Sequence, residues 1–332
     1  MPNSKPTAAD LHIDSALTDF AIGYAQDLKK DFISLNAATT VKVPKQSDKY
    51  FTWTKGDWFR SEMELRGDGA VSRSAGIGIS NTSFYCDVYA LSTYITERQR
   101  VNADIDVEKA KVQYLVHQSM LRRDIVWQAA CFATGLWTSN TEQTGVASGP
   151  TTNQFVQFDA SGAVPREVLM DQIEVVRASI GRKPNVMITS PAVMDALVRH
   201  DDFTDLTKYT VRGGPDYDDI AKAIGLGTED DRMILVGNAV QNTANEGATV
   251  VMSNVFGKHV LLAYISREQS LELPTAVSQF SWSPFDQVTA EGVAVDSWYD
   301  KDRKATKYEA EMACDVAITA NDAGVFLKDA VG

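Results

Sequence analysis

Cysteine is scarce. The 332-residue chain holds three, Cys86, Cys131 and Cys314, far apart and without CxxC spacing. An odd, scattered set builds neither a disulfide framework nor a zinc knuckle, so a reducing cytoplasm fits best. The four histidines, His12, His117, His200 and His259, fall in different predicted elements with no HExxH pair, and no serine sits in a GxSxG elbow. No run reaches the ~20 apolar residues of a membrane span, and the N-terminal MPNSKPTAADLHID lacks the apolar core of a signal peptide. A soluble, non-exported protein is expected. Positive charge is also short: 32 basic against 44 acidic side chains leave a net charge of -12. That balance argues against a broad phosphate-gripping face for nucleic acid.

What is present is enough apolar residue, 44%, for sizeable cores, and a length that favours about two domains. Residues 1–48 read as an extended arm; LTDFAIGYAQDL is amphipathic but short and interrupted by Gly23. From Lys49 the chain turns aromatic and β-prone, KYFTWTKGDWF, and a second such run is SFYCDVYALSTYIT. Between them RGDGAVSRSAGIGIS packs four glycines, Gly67, Gly69, Gly76 and Gly78, into a polar tip. Two strands flanking a flexible tip are expected.

Asp106 can cap a helix that begins at Val107 and runs without Gly or Pro to Gly135. Such a helix spans about 40 Å. Val107, Ala110, Tyr114, Leu121, Ile125 and Phe132 mark its expected buried stripe, and its far end from Ile125 is expected to be deeply packed. A polar loop at 138–152 precedes an α/β unit. In it Pro165 opens a helix that stops at Gly181, NVMITS is a buried strand, and PAVMDALVRH and DYDDIAKAIGL are helices. RMILVGNAV and ATVVMSNVFGKHVLLAYI add strands, so helix and strand alternate. In the C-terminal hairpin Tyr308, Ala310, Met312, Cys314, Val316 and Ile318 alternate with mostly polar residues, the period of a half-buried strand.

Chemistry finds little foothold. GDG at 67–69, GIG at 76–78 and GLG at 225–227 lack the third glycine of a dinucleotide loop and the lysine of a phosphate loop. Arg66-Gly67-Asp68 spells an adhesion tripeptide, which a non-exported chain would not display. The acids Asp216, Asp218, Asp219, Glu229, Asp230 and Asp231 miss calcium-loop spacing. A solvated helix start accounts for them better. No catalytic, metal or cofactor site is expected. Trp53, Trp58 and Phe59 sit beside the tip with Arg60, Arg66, Asp68 and Arg73. A two-stranded ribbon cannot bury such aromatics alone, and aromatic and arginine residues favour interface centres. A neighbouring chain is the expected cover.

The order of parts resembles the major capsid proteins of tailed bacteriophages, the Hong Kong 97 type. The resemblance runs from about residue 11 to 331. It is strongest over PNVMITSPAVMDALVRHDDF, KYTVRGGPDYDDIAKAIGL, GKHVLLAY and GVAVDSWYDKDRKATKYEAEMACDVAIT. It implies an α+β capsid fold: N-terminal arm 1–48, extended loop 49–91, peripheral domain 92–164 with spine helix 106–134, and axial domain 165–265. Residues 266–315 would return to the peripheral domain and 316–332 to the axial one. It further implies hexamers and pentamers that form an icosahedral shell around double-stranded DNA, assembled in a bacterial cytoplasm. The loops would lie over adjacent subunits, with a portal, a separate scaffolding protein and a decoration protein as partners. Lys55 is in the loop, but no residue can be assigned to it as a cross-linking partner. Two alternatives stand beside this reading: an encapsulin-like nanocompartment shell, and an α/β enzyme with an unrecognised site at the acidic cluster.

Overall fold

The computed structural model describes residues 31–52, 55–74, 76, 78, 80–103, 106–138, 141–208, 214–267, 274–289 and 292–332. Two sheets and one long helix organise them. In the first sheet the long strand Ala305–Ile318 is the spine. Asp87–Thr96 pairs antiparallel along one edge, Ala305 opposite Thr96 and Cys314 opposite Asp87. Asp296–Asp300 and Val277–Trp282 share the other edge, and Thr39–Val43 adds in parallel to the latter. Tyr308, Ala310, Met312, Cys314 and Val316 are buried, so the expected alternation is present. The first 30 residues of the expected arm lie outside the described residues. Its later part is built into the body, as a short helix Ser34–Ala37 followed by the strand Thr39–Val43.

The helix Val107–Cys131 packs across the first sheet. As expected, Asp106 caps it, its carboxylate accepting from Lys109 N at 3.2 Å. The buried stripe differs from expectation. Tyr114 is 52% exposed, Ala110 is exposed, and Val107, Leu121 and Ile125 are half-buried. The stripe is instead Val112, Leu115, Val116, Ser119, Met120, Arg123, Asp124, Trp127 and Cys131. From Ile125 onward only Trp127, Cys131 and Phe132 are buried, so the far end is packed on one side. The helix stops at Cys131, and Gly135 (φ 83) turns in the loop beyond.

Charged members on the stripe explain the shift: Arg123 and Asp124 point into the core because each has partners there. Arg123 Nη1 meets Asp286 at 3.1 Å with both side chains fully buried. The Gln279 amide, with its oxygen turned to the guanidinium, accepts from Arg123 Nε and Nη2 at 2.9 and 3.0 Å. Asp124 accepts from the backbone N–H groups of Ser34 (2.9 Å) and Ile33 (3.3 Å), capping the short helix from a distance. Buried charges persist only when paired or hydrogen-bonded in this way.

The second sheet has six strands in the order Gln154–Val156, Glu142–Val146, Gly324–Lys328, Val260–Ala263, Val186–Thr189, Met233–Val236. Val186–Thr189 and Val260–Ala263 are buried throughout. Helix Pro165–Ile180 carries proline at its first turn and ends at Gly181 (φ 72), as the sequence predicts. Leu169, Ile173, Val176 and Ile180 bury its inner stripe. Asp216 and Asp219 form a capping box at the start of Tyr217–Ile224, and Asp231 accepts from Thr228 N and Oγ1 at 2.6 and 2.7 Å. The acids thus hold turns together.

Three expectations change. The run around GDWF is the short helix Lys55–Trp58 and not a strand. Asp87–Thr96 belongs to the first sheet and not to the ribbon. Glu142–Val146, inside the stretch expected to be a polar loop at 138–152, is a strand, and with Gln154–Val156 it pairs in the second sheet and not with the spine helix.

Candidate inter-subunit surface

The ribbon is Ser47–Thr52 paired antiparallel with Ser80–Tyr85, from Ser47 opposite Tyr85 to Thr52 opposite Ser80. Its root has a core of its own. Phe84 stacks on Phe280 with centroids 4.5 Å apart, and Val43 and Cys86 complete the buried cluster. Tyr50 lies 5.2 Å from Phe280. Burial pushes the Cys86 thiol up to about 12, so it stays protonated and unreactive at neutral pH. Polar ties fix the root further: Tyr85 N donates to Asp315 at 3.0 Å, and Gln46 Nε2 donates to Cys86 O at 3.1 Å. Burying one phenylalanine contributes about 2–3 kcal/mol, and the stacked pair about 1 more.

Beyond the root the chain leaves the body. Lys55 Nζ sits 2.9 Å from Asp322, and Phe59, still 59% exposed, lies 3.7 Å from the Cβ position of Gly181. From Arg60 to Ser74 every residue except Glu62 is exposed. The tip carries local structure. Ala70 N donates to Gly67 O at 3.1 Å and Gly69 has φ 73, a type II turn that demands glycine at its third position. Arg66 Nε donates to Ala70 O. Arg73 clasps two carboxylates, Glu62 at 2.7 Å and Glu64, while Arg60 lies 3.7 Å from Glu62. Gly69 and Gly76 face open space and Asp68 is exposed.

Of the residues singled out from the sequence, Phe59, Arg60, Arg66, Asp68 and Arg73 therefore lie together on this arm. Trp53 and the side chain of Trp58 lie outside the described residues. The sequence reading passed over Met63, Leu65 and Val71, which are 96%, 103% and 95% exposed. Their signal was present as Glu-Met-Glu-Leu: Glu62 and Glu64 both reach Arg73, and the apolar pair is interleaved between them.

The described histidines are each engaged in local packing or turns. His200 Nδ1 accepts from Asp202 N at 3.2 Å, His259 Nδ1 accepts from Asp329 N at 3.0 Å, and His117 packs edge-on against Phe32. His12 lies outside the described residues. Among the described residues no group of three His, Cys, Asp or Glu could hold a metal ion, and no helix is long and apolar enough to cross a membrane.

The architecture is a ribbon rooted in a five-stranded sheet, a spine helix across that sheet and a six-stranded α/β unit. It recurs in known proteins. The chain is 24% identical over 260 residues, 76% of each chain, to the major capsid protein of Burkholderia phage BcepMu. A phage-related protein from Bordetella bronchiseptica RB50 matches with TM-score 0.69 and 18% identity, over 96% of this chain and 97% of the other. The mature capsid of bacteriophage PhiM1 matches with TM-score 0.55 and 12% identity, over 90% and 86%. No family model matches. The fold is the Hong Kong 97 type, and these similarities support a capsid shell protein of the tailed-phage kind. The same similarities support a structural role, a place in a virion capsid and self-assembly into shells.

Proposed function

We propose that copies of this chain form hexamers and pentamers that close into the icosahedral shell around a double-stranded DNA genome, assembled in the host cytoplasm. One observation carries the reading. Met63, Leu65 and Val71 stand almost fully exposed at the end of an arm whose root is firmly packed. A single subunit leaves this surface wet, and a neighbour lying under the arm covers it. Phe59, Arg60, Arg66, Asp68 and Arg73 flank the same contact. Residues 49–85 serve as the loop, 165–265 with strands 142–146 and 154–156 as most of the axial domain, and 87–96 and 266–318 with the spine helix as the peripheral domain; 319–332 rejoin the axial part. A net charge of -12 suits a container that must hold DNA without sticking to it. A portal and a separate scaffolding protein are the partners this role calls for; a decoration protein is optional to it.

The test is electron microscopy of purified particles together with their nucleic-acid content. Closed shells that package DNA in the infected host support the proposal. Small nucleic-acid-free particles enclosing an enzyme would replace it with a nanocompartment, and a monomer at high concentration would overturn both.

A further inference from the structure

Lys55 stands where the arm leaves the body. Its Nζ lies 2.9 Å from Asp322, in the turn Asn321–Ala323, and 3.3 Å from Ser179 Oγ, in the last turn of helix Pro165–Ile180. That turn is the negative end of a 16-residue helix. The cation is therefore held by a carboxylate and by the helix end together. Thr138, Thr141 and Val175 line a cleft of about 490 Å³ beside it, so the contact is not packed tight from below. Lys55 and Asp322 keep 48% and 31% of their side-chain exposure. Pairs this exposed are weak and are screened by salt. Past Lys55 the half-exposed ring of Phe59 touches the body at Gly181.

We propose that the Lys55–Asp322 pair is a releasable latch that sets the angle at which the arm leaves the body. The inference rests on the reading that the arm lies over a neighbouring subunit. In a closed shell that neighbour does not always sit at the same angle, and a strongly packed hinge would fix one. A weak, charge-based hold at the hinge keeps the docked and released arms close in population, so that contact with a neighbour decides between them.

The experiment is hydrogen exchange on the purified, unassembled subunit at low and high salt. The reporter is the amide of Phe59, which donates to Lys55 O at 3.1 Å and closes the short helix. Lys55→Ala speeds its exchange by about two- to fivefold, the factor an exposed pair supports, and abolishes the wild type's acceleration by salt. The charge exchange Lys55→Asp with Asp322→Lys restores slow exchange. Circular dichroism confirms that each variant is folded. Equal exchange in wild type and Lys55→Ala, or a swapped variant no slower than Lys55→Ala, overturns the latch. Particle formation by the wild type is scored separately: its failure removes the shell reading, while the exchange result still decides the latch.

Discussion

Asp124 holds a carboxylate where water does not reach, and what it meets there is backbone. Burial raises its pKa to about 6, offset in part by the N–H groups of Ser34 and Ile33 and by the neighbouring Arg123 guanidinium. The sign of the consequence follows from linkage. The folded pKa lies above the ordinary value of 3.8, so the folded state binds the proton first. The contribution of this group to stability is complete below about pH 4 and is lost as pH rises through 6. Two units correspond to roughly 3 kcal/mol. Asp124→Asn keeps an acceptor for the short helix Ser34–Ala37 and removes the titration. Relative to this variant, the wild type loses on the order of 2–3 kcal/mol between pH 4 and 7, measured by urea unfolding at each pH. Identical pH slopes in the two proteins would show that the carboxylate is not buried as described. Arg123 stands differently: its charge is matched by Asp286 and by the Gln279 oxygen.

At the scale of elements, the ribbon divides into a root that folds with the body and an arm that does not. Deleting Gly67 to Gly78 removes the tip turn and no described buried side chain. The subunit keeps its circular dichroism spectrum and its Tm to within about 2 °C, because surface changes away from the core cost little. Sedimentation then shows capsomers or smaller species and no closed shells. An unfolded deletion variant would mean that the tip packs on its own subunit. The sequence displayed the period-two strand 305–318 and the caps at Asp106, Pro165 and Gly181, because these depend on local chemistry alone. It hid the true stripe of the spine helix, because Arg123 and Asp124 turn inward only when Ser34, Gln279 and Asp286, all distant in sequence, come to meet them. For the same reason Asp87–Thr96 read as ribbon: its partner lies more than 200 residues on. On the arm, aromatic and arginine residues drew attention while Met63, Leu65 and Val71 did not. Single apolar residues among charges are commonplace on surfaces, and only near-total exposure at the end of a rooted arm distinguishes these three.

For the whole molecule, assembly must overcome the mutual repulsion of subunits that each carry a net charge of -12. Arg73 and Arg60 together match the carboxylates nearest the apolar tip, Glu62 and Glu64, so a neighbour approaching Met63 and Leu65 meets less negative charge than the average surface presents. Burying a Val, Leu or Met side chain contributes about 1.5–3 kcal/mol, and each 1.4 kcal/mol is a factor of ten in an equilibrium. Replacing Met63, Leu65 and Val71 together with serine therefore raises the concentration needed for shells by ~100-fold or more, even after the cost of ordering the arm. The isolated subunit melts as before, since none of the three is buried in it. Added salt, which screens the like charges, lowers the threshold for the wild type and does not rescue the triple variant, because the missing term is apolar. Light scattering against concentration at two salt levels reads both effects. A triple variant that assembles at the wild-type threshold would place the working contact elsewhere on the subunit, and the arm would lose its role.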